Sequence, residues 1–317
     1  MNKDEEQKLF DQVYPRTDDW VITSNEAPDF LCYRNGEVYL GVEVTELFLH
    51  EGDARLKKVE GYALNLIDGG KVIHKHDREN IKVEKIKIQN KDGTLFKEVN
   101  GIFQEGIPYQ KAIILLMATI LNKKEKLDQY LKACNNIDLI INDRSFMFWF
   151  DDYKTIFRAI SHYADKKAIF NSGFREIFLV TKRKENKPIK IPIKLNLFAE
   201  DAFIFEDLIL AEKGLKKKPK ASPFPVLFYC LNKYGYKDLL VFHEKGNLSI
   251  NIGAFVYIYT KTGKVIRDYS TIPFNFNNYQ TIAEACDELE EEIINIGDNL
   301  LQKRKEKSCY IELFFPA

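Results

Sequence analysis

In the segment PDFLCYRNGEVYLGVEVTELFL, Asn35-Gly36 separates two apolar-rich runs, and this dipeptide constrains the fold more than any other feature of the chain. A two-residue type I′ turn needs φ > 0 at both central positions, which Asn and Gly tolerate at little cost. The spacing therefore predicts a tight hairpin joining a strand from Asp29 to Arg34 to a longer strand from Glu37 to Leu49. Asp29 and Glu43 are equally far from the turn to within about one residue, so both belong near the open end of the hairpin. Opposed or diagonal residues of paired strands lie about 5–8 Å apart, so two carboxylates on one face there would converge. Glu43 also lies inside the apolar run YLGVEVTELFL, where an unpaired charge is costly unless it is bound to a partner or a metal. Two carboxylates and the Val44 carbonyl would form an oxygen cage for Mg²⁺ or Mn²⁺.

The rest of the first half surrounds this hairpin with alternating elements. Lys3 to Tyr14 has the spacing of a short amphipathic helix, and DDWVITS reads as a strand. Gly52 to Asp68 reads as helical. Ile81 to Phe103 reads as a second, highly charged hairpin standing off the core. Tyr109 to Cys134 is expected to be one long helix, followed by a strand at Asn136–Asn142, a helix at Tyr153–Ala164 and a strand at Phe174–Thr181. This order predicts an α/β sandwich over residues 1–183. Residues 184–317 read as an α+β domain. Strands are expected at PIKIPIKLNLF, PVLFYCLNKYG, KDLLVFHE, NLSINIG, AFVYIYT and CYIELFF, with one long helix from Thr281 to Lys307.

Charge is balanced overall, with 47 Lys and Arg against 47 Asp and Glu, but it is segregated along the chain. In residues 1–60 acidic residues outnumber basic ones fourteen to seven, and between Lys182 and Lys220 basic residues lead eleven to six. Neutrality excludes a chain that holds nucleic acid by bulk positive charge. The Lys-rich stretches place candidate phosphate contacts at Lys182, Arg183, Lys184, Lys216, Lys217 and Lys218. The longest apolar run, Ala112 to Leu121, is too short to span a membrane. The opening MNKDEEQKLF has no apolar signal core, and the five cysteines form no CxxC pair, so the expectation is a cytoplasmic protein with reduced thiols and no structural zinc site. His74 and His76 lie in a polar segment without a cysteine nearby and read as surface residues.

Pro28-Asp29, the hairpin, and Glu43-Val44-Thr45 resemble the metal-binding core of the PD-(D/E)XK, or restriction-endonuclease-like, nuclease superfamily. The resemblance covers roughly residues 1–181 and implies a restriction-endonuclease-like core with a mixed central sheet. It further implies a Mg²⁺- or Mn²⁺-dependent phosphodiesterase acting on nucleic acid, DNA rather than RNA, with Asp29 and Glu43 as metal ligands. A homodimer is compatible with it. In that family a Lys two positions after the Glu positions the attacking water, but position 45 here is Thr. Thr has no positive charge, so two readings stand. The lysine has moved to the long helix, where Lys111, Lys123 and Lys126 are the candidates and Lys123, Lys126 and Tyr130 share a helical face. Alternatively, the site has decayed and the fold serves as a nucleic-acid or protein binding module. Glu5 and Glu6 on the opening helix, where the family often places an auxiliary acid, read as solvated helix acids, and Glu46 as an exposed or ion-paired residue.

Overall fold

The computed structural model describes residues 1–15, 20–70, 75, 77–103, 106–148, 152–182, 188–212, 223–244, 246–260, 262–272 and 278–305. The chain opens with α1 (Lys3–Val13), β1 (Val21–Ser24), β2 (Phe30–Arg34) and β3 (Glu37–Leu47). Next come α2 (Glu51–Lys58), α3 (Tyr62–Ile67), α4 (Asp77–Asn80), β4 (Lys82–Gln89) and β5 (Leu95–Phe103). They are followed by α5 (Tyr109–Lys124), α6 (Leu127–Tyr130), β6 (Ile137–Asp143), α7 (Tyr153–Tyr163), α8 (Lys166–Phe170), β7 (Ile177–Lys182) and β8 (Pro188–Pro192). The remainder contains α9 (Ile193–Ala211), α10 (Phe224–Tyr234), β9 (Leu240–Glu244), β10 (Asn247–Asn251), β11 (Phe255–Thr260), β12 (Gly263–Asp268), β13 (Tyr279–Thr281) and α11 (Glu291–Lys305).

The fold is mixed α/β. Its central six-stranded sheet runs β1-β2-β3-β6-β7-β8, with β3, β6 and β7 parallel to one another and the outer pairs antiparallel. A five-stranded antiparallel sheet, β12-β11-β10-β9-β13, lies in the second half, and β4-β5 form a separate two-stranded ribbon. Alternation along β6 divides the core. Ile140 joins Val42 and Val44 on the face covered by α1 and α9, while Leu139 and Ile141 join α5 and α7 on the other face. The α1/α9 side continues into Val226, Leu248, Ile250 and Leu300, so residues on both sides of position 183 share one apolar core.

Helix α1 is fixed at its start by a capping box. The Asn2 side chain accepts the Glu5 N–H at 2.9 Å, and Leu9, Phe10 and Val13 are buried on the sheet. The expected β2–β3 turn is present, with Asn35 at φ 52° and Gly36 at φ 85°.

Several expected elements differ. The segment PIKIPIKLNLF gives a strand only to Pro192, after which α9 begins. Buried positions run almost right round that helix, with Asn196, Glu200 and Asp201 among the apolar ones, so it has no one-sided periodicity to betray it. The Glu176 carboxylate, from the turn before β7, caps it by accepting the N–H groups of Lys194 (2.8 Å) and Leu195 (3.2 Å). PVLFYCLNKYG is helix α10 rather than a strand. Its aromatic content imitates a strand, but Pro225 in the first turn and Gly235 at φ 109° are helix punctuation. The expected Tyr109–Cys134 helix stops at Lys124, and Gly61 (φ 74°) divides the Gly52–Asp68 stretch into α2 and α3. The C-terminal helix is confined to Glu291–Lys305. Residues 309–315, expected as a strand, lie outside the described residues.

Candidate functional site

The site lies where β2 begins. Pairing of β2 with β3 shifts by one residue at Cys32/Tyr33 and reaches Phe30↔Val42; one step further along that register, Asp29 faces Glu43. Gly41 allows this closure. A Cβ there would sit 2.7 Å from Pro28 Cγ and 2.7 Å from Ile137 Cδ1, so only bare backbone leaves room for Pro28 against β3. Beyond Val42, β3 stays paired with β6 up to Leu47, while its other edge opens into a notch. The Gly41 N–H points to the β6 side, onto the Asn136 carbonyl at 2.8 Å. Alternation turns the Val44 N–H the other way, where Asp29 Oδ2 accepts it at 2.9 Å. The Val44 carbonyl, on the same side of the strand as its N–H, faces the notch as well.

Glu43 projects toward the α5 face and is buried, with 5% of its surface exposed. Its Oε1 accepts from Lys123 Nζ at 2.5 Å, and the Tyr130 hydroxyl lies close enough to act on its charge. Burial pushes the Glu43 carboxyl above its ordinary range and the negative charge of Asp29 adds to this, while Lys123 and Tyr130 partly offset both. Burial, then the Glu43 charge, raises the Tyr130 phenol. The second oxygen of Asp29, Oδ1, is 3.2 Å from Lys3 Nζ, and Lys3 also reaches Glu6 Oε2 at 2.9 Å and the Asn25 carbonyl at 3.1 Å. Lys3 and Glu6 from α1, Asp29 just before β2, Glu43 of β3, Lys123 of α5 and Tyr130 of α6 thus form one polar cluster of six side chains around Asp29 and Glu43.

Of the expected lysines, Lys123 at the end of α5 joins this cluster. Lys126 does not share its face, because the helix ends at Lys124 and Lys126 becomes the exposed residue preceding α6. Lys111 is exposed at the other end of α5. Thr45 lies on β3 beside Glu43 and is half-buried. Glu46 is ion-paired with Lys58 (2.7 Å) and Arg144 (3.5 Å), and Glu5 with Arg144 (2.9 Å). Lys182 is exposed at the end of β7, whereas Arg183, Lys184, Lys216, Lys217 and Lys218 lie outside the described residues. So do His74, His76, Trp149 and Phe150. Phe148 is fully buried, and exposed Phe146 lies under the Lys57 ammonium at 5.1 Å.

Sequence reasoning missed Lys3. Its signal was the i, i+3 spacing to Glu6 on a helix that had to pack near Asp29. The donor set at the notch is all oxygen: two carboxylates and one carbonyl. Hard divalent cations favour such sets, and Mg²⁺ commonly uses one or two carboxylates together with water and substrate phosphate. Among the described residues, no three His, Cys, Asp or Glu side chains gather as a metal site, so the notch offers a pair of acids and no larger cage. No described helix is long and apolar enough to cross a membrane. Compared with models of known families, with curated proteins and with solved structures, the chain matches none.

Proposed function

We propose that this chain is a divalent-metal-dependent nuclease with a restriction-endonuclease-like core, acting in the cytoplasm as an endonuclease on DNA. The observation that carries the reading is the convergence of Asp29, Glu43 and Lys123 at the open end of the β2–β3 hairpin. Asp29, Glu43 and the Val44 carbonyl would hold Mg²⁺ or Mn²⁺, which when bound acidifies a water and neutralises phosphate charge. Hydrolysis then needs a water aligned opposite the leaving oxygen and fixed positive charge beside the phosphate under attack. Lys123 supplies that charge from α5, in place of the lysine that Thr45 displaces. Tyr130, whose hydroxyl lies beside Glu43, would steady its negative charge. Asp29 is oriented by the Val44 N–H, so the two acids are fixed relative to β3 before substrate arrives.

Residues 184–317 would select the substrate or a partner, with Lys182 and the neighbouring basic stretches contacting phosphates. Affinity for DNA would then fall steeply with salt. The test is cleavage of supercoiled and linear DNA with and without Mg²⁺ or Mn²⁺, by wild type and by Asp29→Asn and Glu43→Ala. The sequence feature that favours a second reading is Thr45, which leaves the core strand without its own cation. A binding protein on a decayed core would retain DNA without cutting it in any divalent cation.

A further inference from the structure

Two ammonium groups, from opposite faces of the sheet, sit on the candidate carboxylates. Lys123 approaches Glu43 from α5, and Lys3 approaches Asp29 from α1, which packs on the other face. The two oxygens of Asp29 are unlike. Oδ2 is engaged by the Val44 N–H at 2.9 Å, which leaves Oδ1 as the oxygen a cation could take without disturbing β3. Oδ1 is the atom that Lys3 covers, at 3.2 Å.

Lys3 is also built to let go. Its side chain is 54% exposed, while those of Asp29 and Glu6 are 14% and 12% exposed. Its nearer partner is Glu6, at 2.9 Å, so it can leave Asp29 and keep an ion pair. An exposed lysine pair of this kind is weak and screened by salt.

We propose that Lys3 is an internal counter-ion of the metal site: it occupies Asp29 Oδ1 in the absence of a divalent cation and withdraws to Glu6 when one binds. Lys3 thereby competes with the metal and sets the affinity and salt sensitivity of the site. This rests on the reading of Asp29 and Glu43 as metal ligands. Lys3 is the first residue of α1 and is solvent-exposed, so its replacement leaves the packed face of the helix intact.

The experiment is isothermal titration of the full chain with MnCl₂ at low and at high ionic strength. It compares wild type, Lys3→Gln, Lys3→Arg and Lys124→Gln, the last removing one charge from the exposed end of α5. Lys3→Gln is expected to bind Mn²⁺ about two- to fivefold more tightly at low salt. The gain should shrink at high salt, with Lys3→Arg matching wild type and Lys124→Gln gaining less. Unchanged or weaker binding by Lys3→Gln overturns the inference while leaving the metal reading intact, and so does an equal gain in Lys124→Gln. Absence of Mn²⁺ binding in all four proteins overturns the metal reading and this inference with it.

Discussion

Lys123 Nζ lies 2.5 Å from Glu43 Oε1, although 80 residues separate them in sequence. The contact joins the last turn of α5 to the middle of β3 and gives Glu43 the cation that Thr45 cannot provide. Glu43 would otherwise be a buried carboxylate without a counter-charge, an arrangement that folding disfavours.

The two lysines that sequence spacing put on one face should therefore separate in function. Lys123→Ala is expected to lower divalent-dependent cleavage about 10²–10³-fold, the cost of removing one fixed electrostatic group from a site of this kind. Lys126→Ala, altering an exposed residue, should stay within about twofold of wild type. Initial cleavage rates under single-turnover conditions measure both. Equal losses in the two variants would remove Lys123 from its assigned place.

Arg175 and Asp138, the second residue of β6, form a buried ion pair. Arg175 Nε and Nη2 donate to the two Asp138 oxygens at 2.9 and 2.6 Å, and Tyr14 adds a hydroxyl donor at 2.6 Å. Arg175 also donates to the Ser270 carbonyl at 2.9 Å, tying the first half of the chain to the second. Arg175→Ala strands a fully buried carboxylate and should cost about 3–5 kcal/mol. The midpoint of thermal unfolding would then fall by roughly 5–8 °C in a scanning calorimeter. A midpoint within a degree of wild type would show that the pair contributes nothing.

The thiols should be inert for a stated reason. Burial pushes the Cys32 and Cys230 thiols up to about 12, and it raises Cys134 and the half-buried Cys286 as well. The thiolate is the reactive form, and an ordinary thiol becomes mostly thiolate by about pH 9. With folded pKa values raised, moving from pH 7 to pH 9 should leave Cys32 and Cys230 protonated and unlabelled by a thiol-disulfide reagent. Cys286 should react first, in a Cys309→Ser background, and all four should react once the chain is denatured. Rapid labelling of Cys32 or Cys230 in native protein at pH 8 would contradict this.

How much of this was legible depends on how local each signal was. Asn35-Gly36 dictates its turn through two backbone dihedrals, so the hairpin and the nearness of Asp29 to Glu43 could be read directly. The bulge at Cys32/Tyr33, which brings the register to face these two acids, has no such marker. Lys123 was readable as one of three candidates. The choice against Lys126 required the end of α5 at Lys124, and no Pro or Gly announces that break. Helix α9 escapes sequence reading because burial around most of its circumference, polar residues included, leaves no separate polar face to mark it. Lys3 went unnoticed because its role arises from packing between α1 and the segment before β2, a tertiary relation with no spacing rule between the two partners.

On the proposed function, Asp29 and Glu43 hold the cation through which this chain cuts DNA. Its most direct test is plasmid cleavage by wild type and by Glu43→Ala across a Mg²⁺ and Mn²⁺ series. Cutting by wild type should depend wholly on the divalent cation and fall by at least about 10²-fold in Glu43→Ala. Undiminished cutting by Glu43→Ala, or no cutting by wild type in either metal, would contradict it.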